Sequence, residues 1–139
     1  MRQAETLPRL ALSIRQPWAW AIINCGKDIE NRQWRTSQRG PICIHAAKGM
    51  TKAECEDALD FMDAIHGRNT FKAFERAAAF RDNDQRGGII GTAMLIDCVI
   101  DSDSPWFEGR FGFVLRDVQP VEFVPCKGAL GFFDWREPR

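Results

Sequence analysis

The sequence predicts an α+β fold: a mixed β-barrel with flanking α-helices. Helical patterns are confined to the part of the chain before residue 81, whereas short apolar strand patterns lie on both sides of them. The apolar run from Gly88 to Ile100 is long enough for a strand that bends at Gly91, as the strands of a barrel do. The glycine-rich, aromatic ending from Lys127 to Trp135 is expected to close the barrel.

The first elements are predicted from apolar patterns and from the positions of Pro and Gly. Leu10 to Ile14 is a short apolar strand. Pro17 suits a first helical position and Gly26 a position just beyond a helix end, which predicts a short buried helix between them. Two strands follow, from Glu30 to Trp34 and from Pro41 to Ala47, separated by a polar turn.

Two helices and the remaining strands complete the prediction. Thr51 and Glu54 form a capping box that starts an amphipathic helix ending at Gly67. A second helix is predicted over Thr70–Phe80. The apolar stripe of that helix contains Phe71, Phe74 and Ala78. The later strands are predicted over Gly88–Ile100, Arg110–Arg116 and Val121–Val124.

Composition indicates one domain with a hydrophobic core. The chain has 139 residues, of which 45% are hydrophobic and 27% are charged, so we expect a single domain over residues 1–139 with its core at about 10–135. The sequence has no apolar run of roughly 18 residues, the length that spans a bilayer. The N-terminus lacks the apolar segment of a signal peptide. We therefore expect a cytoplasmic protein that does not bind a membrane.

The five cysteines do not indicate a disulfide framework or a metal centre. Their number is odd and no two form a CxxC pair, so reduced thiols are the simplest interpretation. The sequence also lacks the P-loop, GxGxxG, HExxH and nucleophile-elbow motifs. We expect neither a metal nor a cofactor.

Charge is segregated along the chain, although the formal net charge is zero, from 19 basic and 19 acidic residues. Between Arg15 and Lys52 the sequence has seven basic and two acidic residues, whereas residues 53–63 have five acidic residues and no basic one. The first segment predicts a local basic patch that suits an anionic ligand. The second predicts an acidic helix over residues 51–65, which is a candidate surface for a protein partner.

The first candidate site lies where a strand ends and a helix begins, from Ser13 to Trp18. Free backbone N–H groups at the helix start, together with the guanidinium of Arg15, suit an anion such as phosphate. The alternative is structural: Trp18 belongs to the core and Arg15 is a surface charge. The candidate ligand-binding residues of this segment are Ser13, Arg15, Gln16, Pro17 and Trp18.

The second candidate site lies between Gly26 and Trp34. In an extended strand Glu30, Arg32 and Trp34 point to one face. Because Glu30 lies between Lys27 and Arg32, it stays charged and can orient both cations, or act as a general base if it is partly desolvated. The alternative is an ordinary salt-bridged strand face. If the protein is an enzyme, Lys27 and Glu30 are its candidate catalytic residues.

Two further candidates are His45 with Lys48, and Trp106. His45 and Lys48 follow an apolar strand; a histidine in that place is more often structural, but the pair can also meet a ligand. Trp106 lies beside Phe107 on a loop, and exposing two aromatic rings is costly unless they stack on something such as a base. The alternative is a loop that folds back over one end of the barrel.

These motifs together resemble the activating-signal-cointegrator homology (ASCH) family, which is PUA-like. The resemblance covers about Leu10 to Trp135 and is strongest over Leu12–Ala19. The other matching positions are Gly26, Lys27, Glu30, Arg32, Trp34, Arg39, Gly40 and the loop Pro105–Phe107. Because several separated motifs occur in the right order, the match is specific.

The resemblance implies a PUA-like barrel with helices packed around it and a cleft lined by Lys27, Glu30 and Arg32. ASCH domains are proposed to bind RNA, and some bind DNA. Two relatives are enzymes: one hydrolyses the amide of acetylcytidine with a lysine, a threonine and a glutamate, and the other is a metal-dependent ribonuclease. Lys27 matches the lysine of the first enzyme, but Glu30 occupies the place of the threonine and has no hydroxyl to act as nucleophile.

The leading hypothesis is a module that binds RNA, single-stranded DNA or a nucleotide-like small molecule in a basic cleft. Its cations meet phosphates and a tryptophan stacks on a base. The residues expected to contact the ligand are Ser13, Arg15, Gln16, Pro17, Trp18, Lys27, Glu30, Arg32, Trp34, His45, Lys48 and Trp106.

The alternative hypothesis is a hydrolase acting on RNA or a modified nucleoside, either a ribonuclease or an enzyme like the acetylcytidine amidohydrolase. A third is a protein-interaction domain that uses the acidic helix. The first two hypotheses share one geometric requirement. The fold must gather Arg15, Lys27, Glu30 and Arg32 around a single concave hollow.

Overall fold

The computed structural model of the chain describes residues 6–67 and 70–137. These residues contain six strands and three helices. Their bounds are β1 Leu10–Ile14, α1 Trp18–Asn24, β2 Ile29–Arg32, β3 Gly40–Ala46, α2 Lys52–His66, α3 Thr70–Asp82, β4 Gly88–Val99, β5 Phe111–Pro125 and β6 Phe132–Asp134. All three helices lie before β4 in the chain.

The strands form one mixed sheet in the order β2-β5-β4-β3-β1-β6. Strands β1 and β3 are parallel, and the other neighbouring pairs in the described residues are antiparallel. The sheet curls into a half-barrel that carries the three helices. The predicted α+β class and the PUA-like architecture are confirmed.

Side chains, and not a backbone ladder, join the two edges of the half-barrel. Strand β6 pairs with β1, and within the described residues it has no backbone pairing with β2. The rings of Phe113 and Phe132 stack with centroids 6.0 Å apart, and Trp34 packs edge-on against both. Trp34 lies two residues beyond the end of β2, where the sequence predicted the last residue of the strand.

The long hairpin of β4 and β5 provides the curvature. The register of β4 against β5 shifts between Ile89 and Gly91, at the predicted bend. Strand β5 is one continuous strand of 15 residues, where the sequence predicted two strands. Two further register shifts absorb the interruption, and Asp117 takes a left-handed φ of 53°. The apparent gap in the sequence pattern is therefore a bulge within a continuous strand.

Helix α2 begins at the predicted capping box. The side-chain oxygen of Thr51 accepts from the backbone N–H of Glu54 at 3.1 Å, and Oε1 of Glu54 accepts from the N–H of Thr51 at 3.3 Å. One face of the helix buries Ala58 and Met62. Glu56, Asp57 and Asp60 are exposed, as the amphipathic pattern predicts, whereas Glu54 and Asp63 are half-buried and paired with arginines.

Helix α1 lies between the sheet and the helices α2 and α3. Helix α1 packs on the sheet through Ala19, which belongs to the main core. The second core lies around Trp20 and Phe80, whose ring centroids are 5.6 Å apart, and joins α1 to α2 and α3. Phe71 and Phe74, on the predicted stripe of α3, lie outside the side chains that the structure describes.

A side chain at Gly91 is expected to destabilise the domain. A Cβ placed there lies 2.3 Å from Cδ1 of Ile23 and 2.7 Å from the carbonyl oxygen of Gln119, and the backbone oxygen cannot move aside easily. We expect Gly91→Ala to lower the free energy of unfolding by about 1–3 kcal/mol, measured by chemical denaturation. Gly49→Ala is the control, because the nearest atom to its added Cβ is the mobile end of Arg15. Equal losses in both variants contradict the prediction.

Candidate nucleic-acid interface

An open hollow of about 550 Å³ lies beside the ends of β1 and β2. We call it the arginine hollow. Part of its wall is the loop before β6, residues 129–131. A volume of this size is ordinary for a small-ligand site. The predicted site residues that line it are Ser13, Arg15, Trp18, Glu30, Arg32 and Trp34.

Three charged side chains form one hydrogen-bonded group, which we call the ion triple: Lys27, Glu30 and Arg32. Nζ of Lys27 donates to Oε1 of Glu30 at 3.2 Å, and Nε of Arg32 donates to Oε2 at 3.1 Å. Nη2 of Arg32 also donates to the carbonyl oxygen of Ser13 at 2.8 Å, and Nζ of Lys27 to that of Ile29. The triple therefore joins the turn after α1, strand β2 and the end of β1.

Burial differs among the members of the ion triple. Lys27 and Glu30 are only 3% and 8% exposed, whereas the side chain of Arg32 is 21% exposed. Nζ of Lys27 lies 5.6 Å from the ring centroid of Trp18 and lines a neighbouring cavity of about 160 Å³. Three of the four residues required around one hollow do line it, and Lys27 lies outside it. Lys27 neutralises Glu30, so Arg32 presents the net positive charge of the triple to the hollow.

Arg15 lies at the arginine hollow and is paired with the first turn of α2. Its Nε and Nη2 donate to the two carboxylate oxygens of Glu54 at 2.9 Å and 2.5 Å. These hydrogen bonds lower the pKa of Glu54 and raise the pKa of Arg15. The side chain of Arg15 is still 49% exposed. Because an exposed ion pair contributes little net stability, an incoming anion can compete with Glu54 for this guanidinium.

Two tryptophans give the hollow an aromatic surface. Trp34 is 37% exposed and is held edge-on by the rings of Phe113 and Phe132. Trp18 is half-buried and packs edge-on against Phe61, with centroids 5.6 Å apart. Since both rings are held by neighbouring aromatic side chains, the surface is preformed.

Gln16 and Pro17 are buried and face the protein, so neither is open to a ligand. Oε1 of Gln16 accepts from the backbone N–H of Trp20 at 2.8 Å, and its Nε2 donates to the carbonyl oxygen of Gln85 at 2.8 Å. The N–H groups of the two residues that flank Trp20 donate to carbonyl oxygens four residues earlier. The N–H groups of residues 19–21 therefore have partners within the protein and are not free to hold a phosphate, which corrects that part of the expectation.

Trp106 is 4% exposed and lies outside the hollow. Its ring packs near Phe61 and His66, with centroids 6.2 Å and 5.8 Å away. Asn31 holds this loop, because its Nδ2 donates to the carbonyl oxygen of Trp106 and its Oδ1 accepts from the N–H of Glu108, both at 2.9 Å. The loop folds back onto the helices, and this placement corrects the expectation that Trp106 stacks on a base.

His45 and Lys48 line a second hollow of about 660 Å³, which we call the lysine hollow. Ser13 lines both hollows, so the two meet at this residue. His45 is 1% exposed, with Nε2 2.8 Å from the carbonyl oxygen of Cys126 and Nδ1 3.0 Å from Oγ of Ser13. A carbonyl oxygen only accepts, so Nε2 donates to it; when the ring is neutral, Nδ1 carries no proton and accepts from the Ser13 hydroxyl.

Sequence reasoning missed part of both walls. Asn31 lines the arginine hollow and lies within the motif of the ion triple, so the motif itself was the available signal. Arg86, Phe123 and Lys127 line the lysine hollow. Each lies far along the chain from Lys48, and no local pattern links them, so only the folded chain brings them together.

The described residues contain neither a cluster of metal ligands nor a helix that could span a membrane. Within 6–67 and 70–137 no three His, Cys, Asp or Glu side chains are grouped to hold a metal ion. Among the described helices none is long and apolar enough to cross a membrane.

Burial raises the pKa of the Cys25 and Cys55 thiols, so both stay protonated at neutral pH. The cytoplasmic location expected from the sequence stays a prediction.

The curled mixed sheet, its three helices and the site at the ends of β1 and β2 define a PUA-like domain. The ASCH domain family model matches residues 12–121, which is most of the chain. The chain therefore belongs to the ASCH domain family, as its motifs indicated.

A curated human protein, activating signal cointegrator 1 from Homo sapiens, is similar to this chain. The two are 28% identical over 132 residues, which cover 84% of this chain and 20% of the human protein. The chain thus spans about a fifth of the length of the curated relative that it matches.

Removing the charge of Glu30 is expected to destabilise the domain. Glu30→Gln leaves the buried ammonium of Lys27 without its carboxylate, and breaking a buried pair on one side costs about 3–5 kcal/mol in the free energy of unfolding. The double variant Lys27→Met/Glu30→Gln is expected to recover part of this loss, because no uncompensated charge stays buried.

Denaturant titration measures these changes. Asp97→Asn is the matched control: it breaks the exposed pair of Arg39 and Asp97, whose N–O distance is 3.7 Å, and such pairs contribute at most about 1 kcal/mol. If Glu30→Gln unfolds at the same denaturant concentration as the wild type, the stabilising role of the triple is refuted.

Proposed function

We propose that the arginine hollow binds single-stranded RNA or DNA, or a nucleotide-like ligand. The observation that carries this proposal is the combination in one open hollow of two guanidinium groups, from Arg15 and Arg32, with two aromatic rings, from Trp18 and Trp34. Arginine forks match phosphate oxygens, and tryptophan rings stack on bases. A nucleotide carries both a phosphate and a base in one molecule.

The division of tasks follows from exposure. Trp34 is the more exposed ring and is the better placed to stack on an unpaired base. Arg15 is the more exposed cation, while Arg32 is anchored to Glu30 and to the carbonyl oxygen of Ser13. A phosphate at Arg15 and Arg32 positions the ligand without reading its sequence. Glu30 orients the two cations in this arrangement, since its oxygens accept hydrogen bonds from Lys27 and Arg32.

Family membership supports the same proposal. The ASCH family is PUA-like and generally binds RNA. The formal net charge of zero is compatible with this role, because cations line both hollows, whereas no acid of α2 lines either one and only Glu54 is paired with a cation of the arginine hollow. Binding is therefore local and depends on the hollow, and a general attraction of the whole surface to nucleic acid is not required.

A hydrolase is the second candidate function, and one observation favours it. Oγ of Ser13 lies 3.0 Å from Nδ1 of His45, and Nε2 of that ring is held by the carbonyl oxygen of Cys126. Ser13 as nucleophile, His45 as base and the carbonyl group of Cys126 that orients the base are thus connected by hydrogen bonds. Ser13 also lines both hollows. In this candidate function Ser13 is the nucleophile. Lys27 and Glu30, the catalytic residues predicted from the sequence, have no hydroxyl that could act in its place.

The reaction is acyl transfer from a modified nucleoside or RNA. The Ser13 oxygen attacks the acyl carbon, and its proton passes to Nδ1 of His45. The bond from the acyl carbon to the nucleoside nitrogen or oxygen breaks, and that atom takes the proton from His45. A water molecule then attacks the acyl carbon on Ser13 and gives a proton to Nδ1 of His45. The bond from that carbon to Oγ of Ser13 breaks, Oγ takes the proton from His45, and the acyl group leaves as a carboxylic acid.

A protein partner at the acidic helix is a separate proposal with less support. Three of the five acids of α2 that the sequence groups together are paired within the protein: Glu54 with Arg15, Glu56 with Lys52 and Asp63 with Arg76. Asp57 and Asp60 are exposed. The acidic surface offered to a partner is therefore smaller than the sequence indicates.

Binding is tested by titrating a fluorescent single-stranded oligonucleotide at several salt concentrations. We expect Trp34→Ala to weaken binding by about 1–3 kcal/mol, the contribution of one stacked base, and Trp34→Phe to retain most of the affinity. Arg15→Ala is expected to weaken binding and to reduce its salt dependence, whereas Arg39→Ala, which removes another exposed and paired arginine, leaves both unchanged. Salt-independent binding, or unchanged affinity in Trp34→Ala and Arg15→Ala, contradicts the proposal.

Hydrolysis is tested with acetylcytidine and with acetylated RNA. If Ser13 is the nucleophile, Ser13→Ala abolishes turnover and mass spectrometry finds an acyl group on Ser13 in the wild type. Ser37→Ala, which removes an exposed serine from the turn after β2, is expected to react like the wild type. The hydrolase candidate is rejected if the wild type does not turn over these substrates, or if Ser13→Ala reacts at an equal rate.

A further inference from the structure

The lysine hollow is more cationic than the arginine hollow that the sequence motifs point to. Its wall contains Lys48, Arg86 and Lys127, and none of its described lining residues is acidic. The wall of the arginine hollow includes the carboxylate of Glu30 as well as its two arginines. In a chain of zero net charge, a hollow of about 660 Å³ whose described lining residues include three cations and no acid can attract an anionic ligand, with Asp84 offsetting part of the charge of Arg86 from outside the wall.

The cations of the lysine hollow are accessible. Lys48, Arg86 and Lys127 are all exposed. Arg86 has Asp84 as a partner, at 3.4 Å between Nε and Oδ1, and its side chain is 38% exposed. Phe123 adds an aromatic side chain to the wall. The hollow therefore combines groups for phosphate oxygens with an apolar surface, as the arginine hollow does.

The two hollows are neighbours on the protein surface. Ser13 belongs to both walls, and the segment 126–131 contributes its first half to the lysine hollow and its second half to the arginine hollow. Gly128 lies close over the junction, because a Cβ there would be 2.9 Å from Cε1 of His45 and 3.1 Å from Oγ of Ser13. Because Gly128 has no side chain, the segment can lie close to His45 and Ser13. The hydrogen bond from Nε2 of His45 to the carbonyl oxygen of Cys126 holds the segment in this position.

We propose that the lysine hollow binds the phosphate groups of the nucleotides adjacent to the one held in the arginine hollow, so that a single strand of nucleic acid crosses the protein over Ser13. This inference rests on the proposed function and extends it from one nucleotide to a strand. Lys48 and Arg86 meet backbone phosphates, which supply affinity without sequence preference. Phe123 offers a surface for a second base.

A double helix fits this arrangement less well than a single strand. The arginine hollow places a base against Trp18 or Trp34, and a base can reach a tryptophan ring in this way only when it is unpaired. A single strand can turn its bases into both hollows while its phosphates follow the cations between them. The ligand class is therefore single-stranded RNA or DNA of at least a few nucleotides.

The experiment compares a mononucleotide with a single-stranded oligonucleotide of about eight nucleotides, within the range of site sizes known for single-strand binders, using the double variant Lys48→Ala/Arg86→Ala. Both residues are exposed, so the fold is expected to be retained, and circular dichroism verifies this. We expect the double variant to bind the mononucleotide as the wild type does and the oligonucleotide more weakly. The slope of log K against log salt for the oligonucleotide is expected to fall by about 0.7 for each phosphate that no longer meets a cation.

Lys52→Ala/Arg39→Ala is the matched control, because it removes one lysine and one arginine that are exposed and paired elsewhere on the surface. Unchanged oligonucleotide affinity and salt slope in Lys48→Ala/Arg86→Ala overturn this inference and leave the proposed function standing, provided that Trp34→Ala still weakens binding. If neither ligand binds the wild type with a salt-dependent affinity, both proposals fall. A preference for a duplex of the same sequence over the single strand also overturns the strand path.

Discussion

The buried ion triple of Lys27, Glu30 and Arg32 is the interaction on which the rest of the site depends. A carboxylate that is 8% exposed needs compensation, and it receives one cation from the turn after α1 and a second from β2 itself. Arg32 then extends the contact to the carbonyl oxygen of Ser13 at the end of β1. Two strands that do not pair with each other are thereby held side by side at the place where the arginine hollow opens.

This arrangement determines which charges a ligand meets. Lys27 neutralises Glu30 inside the protein, so the motif of three charged residues presents Arg32 to the hollow. Arg15 adds a second guanidinium, which Glu54 holds near the hollow from the first turn of α2. The neighbouring lysine hollow has three cations and no acid among its described lining residues. The motif thus organises the arginine hollow, while the cations of the lysine hollow lie outside the motif.

Local chemistry made much of the fold predictable. Strand β1, the helix between Pro17 and Gly26 and the capping box of Thr51 and Glu54 depend on residues a few positions apart, and these elements form where the sequence predicts them. The bend at Gly91 was predictable for the same reason. The gap predicted within β5 was wrong, because the pairing with β4 continues past Asp117 through shifts in register. These shifts depend on the partner strand, so the residue pattern of β5 alone does not show them. Within the site, the sequence could identify the residues of the ion triple and the common strand face of Glu30 and Arg32.

The sequence by itself determined the family, the class of fold and the presence of a charged motif beside a tryptophan-rich segment. Only the tertiary structure decided exposure: it buries Gln16, Lys27 and Trp106, and it leaves Trp34 open. It also decided which distant residues meet, since Lys48, Arg86 and Lys127 become neighbours only after β3, β4 and β5 have paired. The physical reason is that burial and long-range proximity depend on how the whole sheet curls, whereas secondary structure and motif chemistry depend on neighbours in the chain.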